Sequence, residues 1–139
     1  MNIKNATQAN PSSAINNTVN SSTKNIKAAK KLKVLIHFLY NPQGVTEKSI
    51  NRAAHVMSGR NYPTHLQRQH NILLASPTTR KKDKEGCYYS VYQLKNAEQA
   101  NKLVDLIIHH CKRFNLACMD GLAMRLLADN FPDRDEVAA

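Results

Sequence analysis

The residues in this sequence best suited to chemistry are hydrogen-bond donors and cations rather than nucleophiles. Arg80, Lys81, Lys82 and Lys84 fall within five positions, a density of positive charge that suits the phosphates of a polyanion or a minor groove. Asp83 and Glu85 interrupt the run, so a solvated hairpin tip is the plain alternative. Upstream, Thr64, Gln67, Arg68 and Asn71 recur at a spacing that places four hydrogen-bonding side chains on one side of a helix. Arg suits guanine, Gln and Asn suit adenine, and Thr can touch a base edge or a phosphate; each good bidentate pair is worth about 1 to 3 kcal/mol of discrimination. Ordinary exposed helix residues would give the same pattern. Arg60 and Asn61 precede this set at a helix start, where backbone amides favour a phosphate. Lys27, Lys30, Lys31 and Lys33 form a second basic patch, which either holds phosphates at the flank or simply solubilises its helix.

Covalent and metal chemistry find little footing. The sequence has no Gly-rich phosphate loop, no HExxH arrangement and no short motif pairing a nucleophile with its base. His109, His110 and Cys111 are adjacent, so on a helix they point in different directions, and no second close ligand pair completes a tetrahedral set. Asp83, Glu85 and Asp105 are scattered rather than paired. The expectation is a non-enzymatic protein without metal or cofactor.

Charge organises the chain into two halves. Through Lys95 there are fifteen Lys and Arg against three acids, whereas residues 96–139 carry five against seven. The first half attracts a polyanion, DNA or RNA before all others, and the second is not repelled by its own copy. An anionic membrane surface is a weaker partner, because the cations lie around mixed helices and a turn instead of one strongly apolar amphipathic helix. The longest apolar run, Leu32 to Tyr40, is interrupted by Lys33 and His37 and falls far short of a membrane span. Three cysteines with no pairing pattern, and no apolar leader, lead to the expectation of a reduced, cytoplasmic protein.

The elements that must position these residues follow from periodicity. Residues 1–25, with seven Asn, four Ser and three Thr, read as a disordered polar tail. A first helix is predicted from Ile26 to Tyr40, stopped by Asn41, Pro42, Gln43 and Gly44. Thr46 caps a second, with Ile50, Ala53, Ala54 and Met57 inward, and Asn61 caps a third from Tyr62 to Ile72, with Leu66 and Leu73 inward. Two strands, Thr78 to Lys82 and Cys87 to Leu94, flank a turn at Asp83 to Gly86. Tyr89 and Val91 share one strand face and Tyr88, Ser90 and Tyr92 the other, with core packing the expected use of both. Asn96 opens a fourth helix in an approximate capping box with Gln99, and a fifth spans Cys118 to Phe131; residues 132–139 read as a flexible tail.

The succession helix, helix, turn, helix, hairpin, helix contains the segments FLYNPQGVTEKS, NYPTHLQRQHNILL and RKKDKEGCYYSVYQL. From about Lys31 to Leu94 it resembles the winged helix-turn-helix superfamily of bacterial and phage DNA-binding regulators. The resemblance implies a mainly α fold with a small β-hairpin and additional C-terminal helices. It places the third helix in the major groove and the hairpin on the backbone as a basic wing, and it implies transcriptional regulation. Gln69 and His70 are a departure, since they fall where that helix should be well packed.

Residues 26–95 are thus the expected DNA-binding domain and residues 96–131 a dimerisation region. Leu103, Val104, Ile107, Ile108, Cys111, Leu122 and Leu126, with Met124 and Leu127, exceed what closing one small core needs, so a homodimer reading an inverted repeat is expected. A monomer whose last helix folds back on the first is the other architecture. Two other functional classes fit the same residues: a protein-interaction module, such as an antirepressor-like phage protein with a protein partner, and a nonspecific DNA- or RNA-binding accessory protein.

Overall fold

A computed structural model describes the backbone of residues 12–134 and the side chains of residues 25–134. It is mainly helical, with a small antiparallel sheet: α1 (Ser12–Tyr40), α2 (Glu47–Ala54), α3 (Asn61–His70), β1 (Thr79–Lys82), β2 (Tyr88–Val91), α4 (Ala97–Phe114) and α5 (Gly121–Asp129). Among the described residues no helix is long and apolar enough to cross a membrane.

The first helix is the main correction to the expected boundaries. It begins at Ser12 rather than Ile26, so residues 12–25 are helical and not a polar tail, while residues 1–11 lie outside the described residues. No Gly or Pro occurs between Ser12 and Tyr40, so nothing in the backbone chemistry ends the helix within that stretch. At the other end, Phe131 is buried and Arg134 is tied down, its amide donating to Lys95 O and its guanidinium to Pro42 O. The expected tail therefore does not start at Pro132, and residues 135–139 lie outside the described residues.

One core gathers every helix. Val34, Leu35, Phe38 and Leu39 of α1 meet Ile50 and Ala54 of α2, Leu66 of α3, Leu103, Val104 and Ile107 of α4, and Met124 and Ala128 of α5. The two C-terminal helices pack on each other and on α1, which is the fold-back arrangement. Of the seven residues assigned to dimerisation, Leu103, Val104, Ile107 and Cys111 are buried in this chain's own core and Ile108 is partly so. Only Leu122 and Leu126 stand out, 70% and 61% exposed. The sequence showed an apolar surplus but not that α1, the longest helix, needed it as a cover.

Caps set the helix ends. Thr46 accepts from Ser49 N at 3.1 Å, and Ser49 Oγ accepts from Thr46 N at 2.9 Å, a reciprocal capping box. Ser49 Oγ also donates to Thr46 O, so its proton is committed and His37 Nε2, 2.8 Å away, must be the donor to it. Asn41 Nδ2 then donates to His37 Nδ1 at 3.2 Å. The neutral imidazole thereby joins α1 to the start of α2, and burial holds its pKa below the ordinary 6.5. The unfolded chain takes up this proton first as pH falls, so stability is full above 6.5 and is lost as pH drops from 6.5 toward the folded-state midpoint. Urea unfolding above and below that value should show this loss, reduced in His37→Gln; an unchanged pH dependence in the variant would exclude His37 as its source.

Left-handed residues account for two errors of phase. His55, at φ 54°, ends α2 a turn early and leaves Met57 92% exposed rather than inward. Asn71, at φ 53°, ends α3 at His70. The turn rotates the following residues, so Ile72 and Leu74 enter the core while Leu73, expected inside, is exposed. The exit from α3 is gripped by α4: Leu73 N donates to the buried Gln99 side chain at 2.9 Å and Lys102 Nζ reaches Asn71 O at 3.4 Å. Asn96 caps α4 as expected, accepting from Gln99 N at 3.1 Å, but the Gln99 side chain is spent on Leu73 rather than on closing a capping box. The fifth helix is shorter than its predicted span, opening at Gly121 with Asp120 as its cap.

Candidate nucleic-acid interface

Two short helices and the hairpin build a cation-rich face. Between α2 and α3, Asn51 Oδ1 accepts from Gly59 N at 2.7 Å and Val56 N donates to Asn51 O. Gly59 is buried, and a Cβ there would meet Asn51 Oδ1 at 2.6 Å and Ile50 Cβ at 2.8 Å. Only glycine lets the turn lie this close to α2. The side chains of Thr64, Gln67 and Arg68 project from α3 and are exposed, while Pro63 and Leu66 anchor its opposite side.

Two assigned roles change in this region. Asn71 is exposed but is the left-handed cap of α3, so it does not continue the helical face of Thr64, Gln67 and Arg68. Asn61 is the first residue of α3 and not its cap; Arg60 holds that position without a side-chain capping bond. The amides of Asn61 and Tyr62 donate to Ser58 O and Gly59 O at 3.0 and 3.1 Å. They are therefore committed to the turn, and a phosphate at this corner would be met by the exposed Arg60 side chain.

The hairpin pairs Arg80 with Ser90, Lys81 with Tyr89 and Lys82 with Tyr88. Arg80, Lys82 and Tyr88 consequently share a face, with the Arg80 guanidinium 5.9 Å and the Lys82 ammonium 5.6 Å from the centre of the Tyr88 ring. Tyr88 and Tyr89 are exposed rather than packed in the core; Val91 is the buried strand residue and Tyr92 is half-buried. Asp83 is a turn residue: its Oδ1 accepts from the amides of Glu85 and Cys87, both at 2.9 Å, while Gly86 takes φ 89°. The acid that interrupts the basic run thus closes the loop presenting Lys84. Tyr92 also pairs with Val45, through Val45 N to Tyr92 O at 2.8 Å and the reverse bond at 2.7 Å, which fastens the hairpin's base to the entry of α2.

That fastening creates a cleft of about 710 Å³ between the start of α2, the α2–α3 corner and the hairpin. Lys48, Arg52, Arg60 and Arg80 line it against the acids Glu47 and Asp83. Lys48 and Arg52 were not singled out from the sequence. They stand one helical turn apart on the polar side of α2, and nothing local indicated that this side faces the hairpin. Lys30 and Lys31, assigned to the backbone, instead line a different groove with His65 and His70, sharing no residue with this cleft. The Lys31 head is 3.3 Å from His70 Nε2, which explains the departure at His70: the imidazole packs against α1 and is not a misplaced core residue.

Among the described residues no group of three or more His, Cys, Asp or Glu is placed to hold a metal ion. The arrangement offers several cations around one cleft, suited to non-covalent recognition of an extended anion. No family model, curated protein or solved structure matches this chain.

Proposed function

We propose that this protein binds double-stranded DNA as a winged helix, with α3 in the major groove and the β1–β2 hairpin on the backbone, and that it regulates transcription. One observation carries the reading: the exposed polar face of α3 continues, through Arg60, into a cleft whose far wall is the cationic hairpin. The Val45–Tyr92 bridge supports it further, since it ties a short extended segment before α2 to the second hairpin strand in the manner of a three-stranded wing base. Arg68 and Gln67 read bases in this proposal, while Arg52, Arg60, Arg80, Lys81, Lys82 and Lys84 hold phosphates. Self-association would use Leu122 and Leu126, the exposed apolar pair of α5.

Fluorescence anisotropy with duplexes selected from a randomised library tests the proposal. Arg68→Ala should cost about 1 to 3 kcal/mol against the selected duplex while leaving binding to unrelated duplexes unchanged. Equal losses on every duplex would make Arg68 a backbone contact and remove α3 as the reader. Indifference to all duplexes at moderate salt would reject DNA as the partner.

A further inference from the structure

A second cationic depression lies outside the proposed duplex cleft. It is a groove of about 590 Å³ between α1, α3 and α4. From α1 come Lys27 and Lys31, and from α3 comes His70, with Lys30 and His65 in the adjoining groove. The α4 wall supplies His109, His110 and Arg113. No carboxylate lines either groove among the described residues, so the positive charge is not neutralised locally.

The Lys31 ammonium is half-buried and donates to His70 Nε2 at 3.3 Å, which leaves that imidazole neutral with its proton on Nδ1. A half-buried ammonium whose acceptor is an uncharged ring is incompletely satisfied. At the floor His110 Nε2 donates to Ala28 O at 2.8 Å, pinning α4 to α1 and fixing the groove's width. We propose that this groove binds a phosphate group, held by Lys31 and Arg113 as cations and by His70 as a further donor once it is protonated.

The phosphate could belong to a small phosphomonoester, for which the volume is suitable, or to a nucleic-acid backbone; the recognising chemistry is the same. Proton linkage follows. Burial, then the neighbouring charge of Arg113, lowers the Lys31 pKa, and burial followed by Lys31, His65 and His110 lowers that of His70. A bound phosphate, whether singly or doubly charged, offsets the repulsion from the neighbouring cations, so its binding is linked to proton uptake at His70 and raises the midpoint of that imidazole.

The test is a pH titration of the histidine imidazole resonances in the full-length protein, with sodium phosphate against sodium chloride at matched ionic strength. The His70 signal is assigned by its loss in His70→Gln. Phosphate alone should raise the His70 midpoint by about one pH unit. Lys31→Met should abolish the effect, whereas Lys112→Met, at an exposed α4 position outside the groove, should leave it intact. Equal midpoints in phosphate and chloride, or an undiminished phosphate effect in Lys31→Met, would overturn the proposal. Displacement of phosphate by a duplex assigns the site to the backbone; displacement by a nucleoside monophosphate while duplex stays bound assigns it to a small ligand. The inference does not rest on the duplex reading, because a phosphate effect without any duplex binding would reject that reading and retain this one.

Discussion

Exchanging Arg52, Arg60 and Arg80 together for glutamine should weaken duplex binding by on the order of a hundredfold to a thousandfold. A charged hydrogen bond contributes about 1.5 kcal/mol at the low end of its range, suited to exposed side chains on a solvated backbone, which is near tenfold apiece and less than additive for neighbours. All three arginines line the cleft between α2 and the hairpin, and none lies in the hydrophobic core, so the fold should survive their replacement. The more diagnostic readout is the salt dependence. The slope of log affinity against log salt should flatten by about 0.9 for each phosphate that is no longer neutralised. A large fall in affinity with an unchanged slope would mean that the arginines act through shape rather than by displacing counterions. Unchanged affinity would move the interface away from the cleft. Arg80 carries a further expectation, because its guanidinium sits over Tyr88: Tyr88→Ala should release both Arg80 and Lys82 and reproduce part of the affinity change without removing charge.

Leu103→Ala should destabilise the protein by roughly 2 to 5 kcal/mol, the range for deleting a buried leucine from a packed core. Leu103 of α4 is fully buried in the core that all five helices share, and the melting midpoint should drop by roughly 10 °C. That drop should not depend on protein concentration, because the packing that Leu103 supplies lies within one chain. Leu122→Ser with Leu126→Ser should do the reverse, leaving the midpoint almost unmoved while abolishing any self-association seen by light scattering. A concentration-dependent midpoint in the unaltered protein that vanishes with Leu103→Ala would return α4 to the role of a subunit interface.

The contrast between these two sets marks what could be read from the sequence. Apolar periodicity located five helices because a buried stripe leaves its mark every three or four residues, whichever surface covers it. It could not say what that surface was. Leu103 and Leu122 look alike in the chain, yet one is enclosed in the core and the other faces solvent. The hairpin was legible from its Tyr and Val content and its Lys-Glu-Gly turn, but the service of Asp83 to that turn depends on two amides that the loop brings back to it. Single left-handed residues were the other blind spot. His55 and Asn71 each end a helix whose side-chain pattern runs on, so Met57 and Leu73, two residues beyond each cap, were assigned inward and are exposed. Arg60, Arg68 and Arg80 were named from their types; that Lys48 and Arg52 join the cleft is a long-range consequence of Val45 pairing with Tyr92.

The grip of α4 on the end of α3 bears on what recognition costs. Gln99 holds the amide of Leu73 and Lys102 holds the carbonyl of Asn71, so fraying at the end of α3 breaks contacts to a helix embedded in the core. Much of the backbone entropy of presenting Thr64, Gln67 and Arg68 is thus already spent when the chain folds. A partner that meets this surface has mainly side-chain freedom left to freeze, and affinity gained there is diminished little by ordering.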